Sequence, residues 1–140
     1  MTYTKWFTEH SQKHKSILKT LSNKSKNEII DYFTYENMRA NHIDFCLLYA
    51  TNTKCHNMKN LNCYACGCPY FRFSDDGIDL LKGRIVYSKC IKSLGSQYVS
   101  ENAIHHDCSS CEVPHKTKFV SDNFDIDWNE IMNEVSIESK

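Results

Sequence analysis

The sequence predicts a mainly α fold whose middle consists of irregular loops organised by metal. Three observations predict it. Apolar residues recur at helical spacing near both ends of the chain. From Asn41 to about Pro69 that periodicity fails, and Asn, Thr, Lys and Cys dominate. Most of the eight cysteines fall between the two helical ends. With 140 residues, a single domain is expected. It divides into a helical hairpin over 1–40, a cysteine-rich metal-binding core over 41–120 and an amphipathic helix within 121–140.

The first helix is read from Trp6, Phe7, His10, His14, Ile17, Leu18 and Leu21, which form one stripe from near Thr4. His10 and His14 have a spacing that can bind metal, but on an apolar face a packed histidine is the commoner outcome. Ser22-Asn23 ends this helix. Ser25-Lys26-Asn27-Glu28 is a capping-box pattern, and Ile29, Ile30 and Phe33 follow it as a second stripe. Asp75-Asp76-Gly77 is a turn signal. The stretch IDLLKGRIVYSKC then reads as at most a short hairpin around Lys82-Gly83. Trp128, Ile131, Met132 and Val135 predict the last helix, entered through Asp125 or Asp127.

Composition narrows the function. The chain is 41% hydrophobic and 24% charged, with zero net charge. That balance suits a folded domain and argues against a nucleic-acid partner, which requires a basic surplus. Lys5, Lys13, Lys15, Lys19, Lys24 and Lys26 make the start basic. Asp122, Asp125, Asp127, Glu130, Glu134 and Glu138 make the end acidic. Such runs are usually solvated faces. No apolar run approaches a membrane span, and MTYTKWFTEHSQKHK lacks a secretory signal. A cytoplasmic location is expected. Thiols stay reduced there, so the cysteines read as ligands rather than as disulfides.

The ligand pattern is dense. NCYACGCPYF carries Cys63, Cys66 and Cys68. Cys63-Tyr64-Ala65-Cys66-Gly67 and Cys108-Ser109-Ser110-Cys111 are both C-x-x-C knuckles. Two intervening residues let both thiolates face one ion, and Gly67 lets the chain bend around the sulfurs. Together the knuckles make one tetrahedral four-thiolate site. Cys68 points away from that ion. Cys55, Cys68, Cys90 and His115 make a second tetrahedron. His115 follows Cys111 by four, and the neighbours Cys55 and His56 compete for one position. Cys46, in the apolar stretch DFCLLYA, reads as core. His105 and His106 read as a surface turn.

KCH, NCYACGCPYF and DCSSCEVPH together resemble the cysteine-rich small domain, a zinc-finger-like family regarded as metal-binding. In some chains that domain accompanies cobalamin-biosynthesis enzymes. The resemblance covers about Cys55 to His115 and implicates Cys55, His56, Cys63, Cys66, Cys68, Cys108, Cys111 and His115. Many members carry a further cysteine after the C-P-aromatic segment, where this chain has Arg72-Phe73, and Cys90 is the candidate replacement. The family supplies no assigned activity.

Zinc suits the mixed Cys/His set, as two ions. An iron–sulfur cluster for electron transfer or redox sensing is the main rival, and copper a third choice. Thiolate-closed sites suit structure over catalysis, and no phosphate loop or nucleophile elbow is present. The expectation is a metal-binding accessory module with a protein partner, docked on the helical hairpin or on Tyr64, Tyr70 and Phe71.

Overall fold

The computed structural model describes residues 2–137. Glu138 of the acidic run and the last residues of the expected C-terminal helix lie outside them. Helix α1 (Tyr3–Lys19) begins where the Thr2 side chain accepts from the Lys5 amide. Two Asp75 oxygens also accept from the Tyr3 and Thr4 amides, at 2.9 and 3.3 Å, and favour the positive end of the helix. Helix α2 (Lys26–Tyr32) starts at Ser25 with both halves of the capping box formed. Helix α3 (Tyr35–Asn41) follows after a two-residue break.

The stripe on α1 is buried as its spacing requires. Ile17, Leu18 and Leu21 join Phe33, Met38, Tyr64 and Trp128 in the core. His10 and His14 are packed among aromatic rings. His10 stacks on Trp6 at 4.8 Å, and His14 on Phe33 at 4.9 Å. Trp128 is fully buried and touches Trp6, Phe7 and both histidines. Burying a large aromatic side chain contributes about 1.5–3 kcal/mol.

The fold is mixed α/β rather than mainly α. The described residues form five α-helices and six strands in two sheets. Strands β1 (Phe71–Phe73), β2 (Asp79–Leu81), β3 (Arg84–Val86), β4 (Ser88–Cys90), β5 (Ser96–Val99) and β6 (Ala103–Asp107) form two sheets. One is an antiparallel pair, β1 with β4. The other has the order β2-β3-β6-β5, with β3 and β6 parallel. The hairpin at Lys82-Gly83 forms β2 and β3, and both turn residues have positive φ, as a tight hairpin turn requires.

The other strands lack a legible signal. Most have three residues, and β2 and β5 are exposed throughout. Their residues therefore do not alternate between apolar and polar. Backbone pairing across the chain specifies them instead. His105 and His106 consequently sit in β6, not in a surface turn.

The expected helical hairpin is also corrected. The principal partner of α1 is α5 (Trp128–Ile131), and that of α2 is α4 (Thr117–Asp122). The C-terminal helix is a single turn. Asp127 caps it, and Met132 ends it. Beyond that turn, Phe73 donates to the Val135 carbonyl and Ile137 donates to the Phe73 carbonyl. This extended pairing buries Val135 without a helix, although its spacing from Trp128 is helical.

Candidate metal centre

Residues 61–63 anchor the first knuckle to the helices. Tyr35 donates to the Leu61 carbonyl at 2.9 Å, and Cys63 donates to the Phe33 carbonyl at 2.8 Å. Asn62, between them, is buried and makes four hydrogen bonds to three partners. Its side-chain amide donates to the Ile30 carbonyl at 2.8 Å, and its side-chain oxygen accepts from the Tyr64 amide at 2.9 Å. Its backbone amide donates to the His115 carbonyl at 3.0 Å. Its carbonyl accepts from His115 Nδ1 at 2.8 Å. Asn62 therefore fixes both the chain position and the ring orientation of His115.

The consequence is a converging pair of nitrogens. With Nδ1 donating, neutral His115 keeps its lone pair on Nε2, which lies 3.4 Å from Cys55 Sγ. His56 uses the opposite nitrogens. Its Nε2 donates to the Cys108 carbonyl at 2.9 Å, which leaves the Nδ1 lone pair 3.1 Å from the same sulfur. One ligand atom from each of Cys55, His56 and His115 lies within 4.8 Å of the others. A thiol proton can bond only one of the two nitrogens. A cation among the three donors would satisfy both. Imidazoles that ligate metal commonly give their other N–H to a backbone carbonyl, and both do so here.

Burial keeps His115 neutral. Its pKa is lowered, first by burial; the Asn62 bond opposes this, and the His56 charge adds to it. Cys55 is raised, again first by burial. Both shifts leave a site that must shed the thiol proton when a metal enters.

The eight cysteines are all free, and they separate into two neighbourhoods. Cys63 is pushed up to about 12 by burial and by the charges of Cys46 and Cys55, while the neighbouring Tyr49 hydroxyl acts in the opposite direction. Cys66 is raised well above the ordinary thiol value by burial and by Cys63, Cys46 and Cys55. Cys68, raised to about 11 by burial, feels Cys90 and Cys111 instead. Cys108, also at about 11 through burial, feels Cys68, Cys111 and Cys90. The charges felt by Cys63 and Cys66 are thus those of Cys46 and Cys55, although Cys66 also lines the cleft of Cys68, Cys90, Cys108 and Cys111. The knuckle at Cys108 and Cys111 faces Cys68 and Cys90. Among the described residues, the two knuckles do not bring three sulfurs within 4.8 Å of one another.

The split between Cys66 and Cys68 follows from the backbone. Gly67 has φ +107° and Cys68 φ +57°, so the chain reverses between the two sulfurs. A Cβ on Gly67 would also meet the buried Trp128 ring at 3.1 Å. Trp128 in turn donates its indole N–H to the Cys66 carbonyl at 3.1 Å.

Cys46 packs against the core as its apolar stretch implies, and one residue, Asn62, escaped the sequence reading. Cys46 is half-buried there and lies within reach of the Cys55, Cys63 and Cys66 charges. Asn62 has only one sequence cue, its place directly before the knuckle. Asn62→Ala is expected to destabilise the fold by about 1–3 kcal/mol, because the Ile30 carbonyl and Tyr64 amide lose buried partners. Zinc affinity should fall about tenfold, as it does when a ligand loses the group orienting it. Urea unfolding and a competitive zinc titration measure the two effects.

His105 lines the same cleft as Cys68, Cys90, Cys108 and Cys111. Its Nδ1 is 3.1 Å from the Tyr3 hydroxyl, and its ring stacks on Tyr87. No helix among the described residues is long and apolar enough to cross a membrane. No protein family, curated protein or solved structure matches this chain. The likeness to the cysteine-rich small domain stands on its motif residues alone.

Proposed function

We propose that this is a zinc-binding accessory protein in which Cys55, His56 and His115 hold a structural ion that shapes the central loops. The convergence of two oriented imidazole lone pairs on one thiol supports the reading most directly. A thiolate with two imidazoles is a borderline-soft set suited to zinc. Three donors leave one tetrahedral position, and Cys63 and Cys66 are the thiols whose neighbourhood includes Cys55. A reducing compartment such as the cytoplasm would keep those thiols available.

The protein partner is part of the proposal. The four-stranded sheet exposes Leu80, Leu81, Tyr98 and Val99, apolar groups that a partner could cover. The test is a zinc titration of the full chain against a chromophoric competitor. Zinc is expected to bind with proton release. His115→Gln and His56→Gln should each weaken the triad site by more than about 100-fold, beyond the loss typical of an orienting neighbour. Unaltered zinc binding in both variants would refute the assignment.

A further inference from the structure

Seven thiols lie outside the Cys55–His56–His115 site, and five of them, Cys66 included, line one cleft together with His56 and His115. Cys68, Cys90, Cys108 and Cys111 are the other four in this cleft of about 890 Å³. They arrive from three separate stretches, and backbone pairing brings them there. Cys90 ends β4 opposite Phe71 of β1. Ile91 then donates to the Tyr70 carbonyl at 3.0 Å, while Phe71 donates to the Cys68 carbonyl at 3.1 Å. The turn from Cys108 to Cys111 is closed by the Cys111 amide donating to the Cys108 carbonyl at 3.0 Å. His56 holds that same carbonyl from the neighbouring site.

Their spacing distinguishes between two kinds of occupant. One tetrahedral zinc, with Zn–S bonds of about 2.3 Å, would hold its sulfurs ~3.8 Å apart. Among the described residues, only Cys55, His56 and His115 bring three donor atoms within 4.8 Å of one another. No three of these four cleft thiols therefore lie within 4.8 Å of one another, a looser grouping than one zinc ion holds. In a [4Fe–4S] cluster each thiolate binds a different iron, and bridging sulfides fill the space between them. Phe71, Tyr70 and Leu94 line the same cleft and would limit water at such a cluster. We propose that Cys68, Cys90, Cys108 and Cys111 ligate one cluster of the [4Fe–4S] class. This centre uses none of the triad donors and does not depend on the zinc reading.

The test is anaerobic reconstitution of the full chain with ferric iron, sulfide and excess dithiothreitol, followed by desalting. The expected product is brown and carries about four irons and four acid-labile sulfides per chain. Cys90→Ser and Cys111→Ser should each lose most of that sulfide, with circular dichroism showing that they fold. His115→Gln should keep it. A wild-type chain that retains no sulfide and instead takes zinc at these thiols overturns the proposal. So does full sulfide retention in a folded Cys90→Ser chain. If neither serine variant folds, paramagnetic resonance of the reduced wild-type protein decides, and absence of a cluster signal counts against the site. Loss of zinc in His115→Gln with sulfide unchanged is the separate signature of the triad.

Discussion

Stripping metal from the chain should unfold its centre and leave α1 partly helical. A structural zinc site contributes about 10–16 kcal/mol to folding. A whole domain is stable by only about 5–15 kcal/mol. The segment from Thr51 to Asn60 is largely exposed, with only Met58 packed against the core. Lys54, Cys55, His56, Asn57 and Met58 carry no helix or strand. The bonds from Asn62 to His115 and from His56 to Cys108 cross between distant loops, and a shared ion would lock them together. Helix α1 has its own cap and 17 residues, enough for residual helicity. Hydrogen exchange on the chelated protein should therefore show amide protection lost at Cys63 and His115, while part of α1 stays protected. Unchanged protection in a fully demetallated chain would contradict the structural role.

Acid should destabilise the molecule through His10 and His14. Burial is the main cause of both shifts, which lower His10 from 6.5 to about 3 and His14 to about 4. The His14 and Lys13 charges lower His10 further, whereas the Tyr64 carbonyl and Asp127 partly support charge on His14. Among the described residues, His10 Nε2 and His14 Nδ1 have no hydrogen-bond partner. Both groups bind protons more readily in the unfolded chain. The stability that their neutral forms provide is therefore complete above pH 6.5, and it falls as pH drops toward about 4 and then about 3. At about 1.36 kcal/mol per unit, His10 alone removes on the order of 4 kcal/mol by pH 3. Comparing wild type with His10→Leu, both zinc-loaded, isolates this contribution, because acid attack on the ligands is common to both. The variant should show a shallower loss of stability below pH 6. Parallel pH profiles would refute the assignment.

The two ends and the middle of the chain differ in how much the sequence reveals. Helix α1 and the capping box at Ser25 are local features, so spacing and side-chain chemistry suffice to find them. The turn at Lys82-Gly83 is equally local. The pairing of β3 with β6 joins residues about 18 apart through bonds that no periodicity encodes. Val135 misleads for a related reason: its helical spacing from Trp128 reflects shared burial, not shared helix.

The donor set shows the same division. Residue types and short spacings identify Cys55, His56, Cys63, Cys66, Cys68, Cys90, Cys108, Cys111 and His115 as candidates. Which of them face one another depends on the reversal at Gly67 and on the β1–β4 pairing that delivers Cys90. Both are properties of the folded backbone. The role of Asn62 also emerges only in three dimensions, since two of its bonds reach His115 from 53 residues away.

X-ray absorption at the zinc edge of the zinc-loaded chain tests the central claim most directly. Two imidazoles and Cys55 sharing an ion predict nitrogen scatterers at about 2.0–2.1 Å together with sulfur at about 2.3 Å, and loss of nitrogen scattering in His115→Gln. Zinc surrounded by sulfur alone, or a chain that retains no zinc, would contradict it.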